Sequence, residues 1–105
     1  MTIDIEPRDL ATVHALLRRH VPEHEVRAFG SRVRGTSRRN SDLDLAIMTD
    51  TPLDAVCLGE LRDALSESDL PFQVDLLDWA TVNGNFRRLI EERYEVLQSG
   101  KVASR

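Results

Sequence analysis

The stretch AFGSRVRGTSRRNSDLDLAI, residues 28–47, joins a Gly-Ser pair and a basic segment to two aspartates one residue apart at the start of an apolar run. Side chains alternate across a β-strand, so Asp42 and Asp44 point to one face of the predicted strand and Leu43 to the other. Two converging carboxylates repel each other unless a cation lies between them. Because Mg²⁺ binds carboxylate, water and phosphate oxygens, the pattern favours a metal site where the strand begins.

A third acid would complete a two-metal site, and the best candidate lies in the alternating run FQVDLL, residues 72–77. Asp75 points away from the face of that run that carries its apolar neighbours. Asp78 has the other parity and is predicted to cap the turn that follows. Simpler interpretations remain open, since NSDLD is also typical of a polar turn and Asp75 also suits the solvated face of an edge strand.

The Gly30-Ser31 pair has two interpretations as well. It is typical of a strand end followed by a turn or helix cap, and equally of a loop in which the missing Cβ of glycine lets backbone amides approach phosphate oxygens. Four arginines crowd the segment that follows, and a guanidinium matches phosphate geometry, although a basic loop is often only solvated. These arginines are Arg32, Arg34, Arg38 and Arg39.

Composition narrows the class of protein. With 105 residues, 41% of them hydrophobic, we expect a single domain over residues 1–105, with a flexible tail from about residue 99. The net charge of −4 argues against a protein that coats nucleic acid, and the single cysteine excludes an intrachain disulfide. The N-terminus has no signal-peptide pattern, and no apolar run approaches the ~20 residues of a membrane span. We therefore expect a cytoplasmic protein with no membrane contact.

Hydrophobic spacing predicts the order helix, strand, strand, helix, strand, helix. The helices are predicted over about residues 7–20, 53–65 and 86–97, and the strands over residues 26–29, 43–48 and 72–77. The last helix is predicted from an apolar face of Phe86, Leu89, Ile90, Tyr94 and Leu97. This order predicts an α/β (α+β) fold with a small sheet flanked by helices.

The spacing of the motifs carries a resemblance. Ten residues separate Gly30-Ser31 from Asp42-Leu43-Asp44, and a distant strand supplies Asp75. This arrangement resembles the polymerase β-type nucleotidyltransferases, whose fold has a small mixed sheet. In particular, the chain is similar to the minimal nucleotidyltransferases that act as antitoxins beside HEPN-domain toxins. The resemblance covers nearly the whole chain, including the segments LPFQVDLLDWA and FRRLIEERYEVL.

The resemblance implies a role for each motif residue. Asp42, Asp44 and Asp75 would bind metal, two Mg²⁺ ions by expectation, and Asp75 would help to activate the attacking hydroxyl. Gly30 and Ser31 would hold the triphosphate of ATP, and Arg32 is the arginine assigned to the nucleotide. The implied reaction transfers AMP from ATP to a tyrosine hydroxyl of a cognate HEPN ribonuclease toxin and neutralises it, within a hetero-oligomer and without stable nucleic-acid binding.

Two other functions remain open from the sequence. The chain could mask its partner by binding alone and keep the nucleotide fold for structure or regulation. It could also transfer a nucleotide to a small molecule, although the sequence offers no added acceptor domain. Retention of all three acids favours catalysis over masking.

Overall fold

A computed structural model describes residues 3–100 as a four-stranded sheet with helices packed against it. The helices are α1 (Pro7–His20), α2 (Ser31–Arg34), α3 (Ala55–Ser66) and α4 (Gly84–Glu92), and a 3₁₀ turn spans Trp79–Thr81. The strands are β1 (Glu25–Phe29), β2 (Leu43–Ile47), β3 (Val74–Asp78) and β4 (Glu95–Ser99). Within this part of the chain no helix is long and apolar enough to cross a membrane.

The sheet is mixed, in the order β3-β2-β1-β4. β1 pairs antiparallel with both β2 and β4, whereas β2 and β3 run parallel and are joined by the crossover through α3. This confirms the predicted α/β class with a small mixed sheet. The parallel pair matters most for function, because it brings the starts of β2 and β3 to the same end of the sheet.

Local sequence explains where the helices begin. Pro7 occupies the first turn of α1, where its missing amide proton costs nothing, and the helix has the predicted bounds. Asp54 accepts a hydrogen bond from the Cys57 amide and so caps α3. Asn83 caps α4 in the same way, by accepting a hydrogen bond from the Phe86 amide.

One face of the sheet is covered and the other holds the acids. Val13 and Leu17 of α1 and Leu61 of α3 are fully buried against the strands. The strand residues in this core are Val26, Ala28, Leu43, Leu45, Ile47, Leu76 and Leu97. Asp42, Asp44 and Asp75 alternate with core residues of β2 and β3, so the predicted parity is correct.

The predicted last helix is wrong in its second half. α4 ends at Glu92, and Glu95–Ser99 form β4, which pairs with β1 with a register irregularity at Val26–Arg27. Leu97 is buried while Val96 is exposed, the alternation of a strand, and the Arg27 guanidinium lies 4.3 Å from the Tyr94 ring centre. Ser99, placed in the predicted tail, pairs with Glu25, and residues 101–105 lie outside the described residues.

Candidate active site

Three carboxylates meet at the end of the sheet where β2 and β3 begin. Asp44 lies opposite Asp75 in the parallel register and opposite Phe29 in the antiparallel one. Asp42 is exposed immediately before β2. All three acids line one cleft of about 1090 Å³, so the structure brings together the acids that the sequence singled out.

Asp44 lies partly buried beside two other carboxylates, and this raises its pKa. Burial, together with the charges of Asp75 and Asp42 and a hydrogen bond with the Asp75 side chain, raises the pKa of Asp44 to about 6, while Arg34 acts in the opposite direction. The repulsion between two such carboxylates is removed when one of them takes up a proton or when a cation binds between them. The pair thus stores a repulsion that cation binding removes.

The donor chemistry of the cluster fits a divalent metal. Three carboxylates on one face offer the oxygen ligands that Mg²⁺ prefers, with room for phosphate oxygens beside them. Within residues 3–100, no three acidic, histidine or cysteine side chains are already arranged around one point as a metal would require. Asp44 and Asp75 nonetheless lie close enough for the charge of Asp75 to raise the pKa of Asp44.

Gly30 links the Gly-Ser pair to the carboxylates. Its backbone has φ 86° and ψ −158°, a conformation open almost only to glycine. A Cβ at this position would collide with Oδ2 of Asp44. Ser31 then begins α2, whose first amides have no partner inside the helix. The chain therefore presents free backbone donors immediately beside the acids.

Arg32 does not lie among the residues that line the carboxylate cleft. It is 5% exposed, and its guanidinium donates to the carbonyls of Asp4, Arg39 and Ser41 while lying 4.3 Å from the Phe72 ring centre. These contacts occupy the planar fork and argue against the predicted contact with the nucleotide. Arg32 instead ties the basic loop to the N-terminal segment.

Arg34 is the loop arginine that the structure places beside the site. It lines a second cavity of about 290 Å³ together with Gly30, Asp44 and Phe86, and its charge acts on Asp44. Arg38 and Arg39 are exposed on the far part of the loop. The sequence offered four equivalent arginines, and only the fold separates them.

Asp78 corrects a further prediction. Its side chain makes no capping bond to the following 3₁₀ turn. It is 8% exposed and accepts hydrogen bonds from the Thr49 hydroxyl at 2.5 Å and the Leu53 amide at 2.7 Å. Asp78 thus holds the ends of β2 and β3 to the segment before α3, away from the carboxylate cluster.

Two lining residues were missed from the sequence. Arg62 of α3 lines the carboxylate cleft, and Phe86 of α4 packs edge-to-face on Phe29 with ring centres 6.0 Å apart. Phe86 was assigned to a core stripe, but it is 38% exposed and lines the site. Nothing in the local sequence marks Arg62, because its position depends on how α3 lies beside β3.

Comparison with known proteins agrees with this geometry. The family model for polymerase β nucleotidyltransferases matches residues 12–102. The chain therefore belongs to the polymerase β-type nucleotidyltransferase family, a class of enzymes that uses a nucleotide substrate and a divalent metal.

Individual relatives are more specific. The chain is 50% identical over 96 residues, 91% of its length and 84% of the relative's, to the probable protein adenylyltransferase MntA of Haemophilus influenzae. A crystal structure of a toxin–antitoxin complex with AMP-PNP superimposes with a TM-score of 0.73 and 29% identity, covering 89% of this chain and 75% of that one.

A third comparison concerns a tri-AMPylated HEPN toxin of Shewanella oneidensis in complex with its MNT antitoxin. One chain of that structure matches this one with a TM-score of 0.67 and 22% identity, over 90% of this chain and 73% of that one. At this identity the match shows the shared fold alone.

Proposed function

We propose that this chain is an antitoxin that transfers AMP from ATP to a tyrosine hydroxyl of a cognate HEPN-domain toxin. The observation that carries the proposal is the pairing of Asp44 with Asp75 across the parallel strands, with the Gly30 backbone packed against Asp44. The 50% identity to a probable protein adenylyltransferase supports a protein acceptor. The chain and the toxin would form a hetero-oligomer in the cytoplasm, where ATP is available.

The strand order supports a placement for each end of the proposed reaction. In an in-line displacement the attacking and leaving oxygens lie on opposite sides of the α-phosphorus. Gly30-Ser31 follows β1, on one side of Asp44, and Asp75 lies on β3, on the other. The triphosphate tail therefore lies towards the Gly-Ser pair, with Arg34 close enough to neutralise it, and the acceptor hydroxyl approaches from β3.

The bonds that change follow from this placement. The acceptor oxygen forms a bond to the α-phosphorus, the bond from that phosphorus to the bridging oxygen breaks, and pyrophosphate leaves. Asp75 would accept the hydroxyl proton, and its exposure on the β3 side supports this role. Asp42, Asp44 and Asp75 would hold the divalent metal, two Mg²⁺ ions in the full site, which supplies charge stabilisation of the attacking and leaving oxygens.

Intact-mass spectrometry of the partner tests the proposal. The protein encoded by the neighbouring gene is incubated with this chain, ATP and Mg²⁺, and in parallel with a variant carrying Asp42→Asn and Asp44→Asn. We expect the partner to gain one or more AMP units with the native chain and none with the variant. A stable complex without any gain of mass would instead support masking by binding, and adenylylated small molecules without modified partner would support the third function.

A further inference from the structure

The cleft that holds the three acids continues along the outer edge of β3. Eight consecutive residues, 70–77, line it together with the C-terminal part of α3, including Arg62 and Ser66. Residues of both parities line it, so the cavity extends from the face that carries the acids to the outer edge of the strand. We call this cavity the β3-edge groove.

β3 lies at the end of the sheet, next to β2 alone. The Leu43 amide donates to the Gln73 carbonyl, which fixes the ladder so that residues 73, 75 and 77 bond towards β2. The amides and carbonyls of Val74 and Leu76 consequently point outward, into the β3-edge groove. Within residues 3–100 no hydrogen bond is found to any of these four groups. Such a row of unused donors and acceptors is a template for a further strand.

The β3-edge groove lies on the side from which the acceptor hydroxyl is proposed to approach. The acceptor hydroxyl approaches from the β3 side, opposite the Gly-Ser pair, and the β3-edge groove opens on that side with Asp75 in its wall. A chain segment in this groove is therefore already beside the group that takes the hydroxyl proton. Arg62 gives the groove one positive charge at the far wall, suited to an acidic residue of the segment.

We propose that the acceptor segment of the partner protein binds in an extended conformation along β3. Its backbone pairs with Val74 and Leu76, its hydroxyl-bearing side chain points to Asp75, and Arg62 faces an acidic side chain. This mode supplies affinity through the main chain and specificity through alternate side chains. The inference rests on the proposed transfer of AMP to a protein and names the surface that receives it.

Two variants with matched controls test the groove. Ser66→Trp fills it from α3, while Glu60→Trp places the same side chain on the exposed part of α3 away from it. Val74→Pro removes one outward amide and leaves the bonds to β2 intact, while Val74→Ala removes the side chain and keeps the amide. Initial rates of AMP transfer are measured against partner concentration, with ATP-analogue affinity and thermal unfolding as checks of the fold.

We expect Ser66→Trp and Val74→Pro to raise the KM for the partner at least tenfold, with ATP-analogue affinity within about twofold of native. Glu60→Trp should keep the native KM, and Val74→Ala should raise the KM less than Val74→Pro does, because it keeps the outward amide. An unchanged KM in Ser66→Trp overturns the groove as the acceptor site. A raised KM in Ser66→Trp with a native value in Val74→Pro overturns backbone pairing. If the native chain transfers no AMP to the partner, the proposed function itself fails, which is a different result from transfer that ignores both variants.

Discussion

Asp44 on β2 stands directly beside Asp75 on β3 in the parallel pair of the sheet, close enough for the charge of Asp75 to act on the Asp44 carboxyl. Burial and the neighbouring negative charges raise the pKa of Asp44 to about 6, so the metal-free site is under electrostatic repulsion near neutral pH. The same feature that makes the cluster suitable for a cation makes it unfavourable without one. Stability and activity are therefore expected to oppose each other at this position.

Replacing Asp44 with asparagine separates these two effects. We expect Asp44→Asn to stabilise the metal-free protein at pH 7.5 by ~1 kcal/mol, a value kept small because the half-buried group is screened by solvent, and to lower AMP transfer by ~10³-fold or more. Thermal unfolding in EDTA and initial rates with Mg²⁺ measure the two. A variant that is less stable than the native chain at pH 7.5 would show that no repulsion is stored there.

The stabilisation also has a definite pH dependence. Asp44 ionises with a pKa of about 6 in the folded chain, above its unfolded value, so folding at pH above 6 carries the full cost of the charge. As the pH falls through 6 the folded form takes up a proton first, and the cost disappears towards pH 4. The difference in stability between Asp44→Asn and the native chain should shrink in parallel, and a difference constant with pH would contradict the assignment.

Gly30 and Gly59 give a matched pair of substitutions. Gly30→Ala introduces a Cβ against Oδ2 of Asp44 in a backbone conformation that alanine avoids, and we expect a loss of about 2–3 kcal/mol in stability together with most activity. Gly59 lies inside α3 with nothing within 4 Å of an added Cβ. Gly59→Ala should therefore stabilise the chain by ~0.5–1 kcal/mol. Urea unfolding and AMP-transfer rates compare them, and equal behaviour of the two would refute the close approach at Gly30.

Arg32 is expected to matter for the fold of the basic loop. Arg32→Lys keeps the charge but loses the planar fork that reaches three carbonyls, so we expect a loss of about 2 kcal/mol in stability. Arg38→Lys changes an exposed side chain and should leave stability within about 0.5 kcal/mol. Chemical denaturation measures both. A stable Arg32→Lys with a raised KM for ATP would return Arg32 to the nucleotide contact first predicted for it.

Substitutions of Asp75 and Asp78, which both lie on β3, separate a catalytic role from a structural one. Asp75→Asn removes an exposed charge at the site and should lower the rate of AMP transfer by ~10²–10⁴-fold with no loss of stability. Asp78→Ala removes the acceptor of the Thr49 and Leu53 bonds and should cost about 2 kcal/mol in stability. The rate per folded molecule should stay near native in Asp78→Ala. Retained activity in Asp75→Asn would exclude it as the base.

The sequence predicted the acids and their parity because a strand's alternation is a local property. The shared face of Asp42 and Asp44 follows once a strand is placed at about residue 43. The end of α4 was not predictable in this way, since Tyr94 and Leu97 continue the helical spacing of Ile90, and pairing with β1 overrides that spacing. Arg32 and Arg62 depend on contacts between distant segments, which periodicity does not encode.

The position of β1 between β2 and β4 has a consequence for how the chain is made. Synthesis delivers β1 and β2 early, but the second neighbour of β1 is completed only at residue 99. Until that residue leaves the ribosome, β1 carries an unpaired edge beside the Gly-Ser pair. Among the described residues β4 is the last strand in chain order, so β1 gains its second neighbour only after the acids of β2 and β3 have been made.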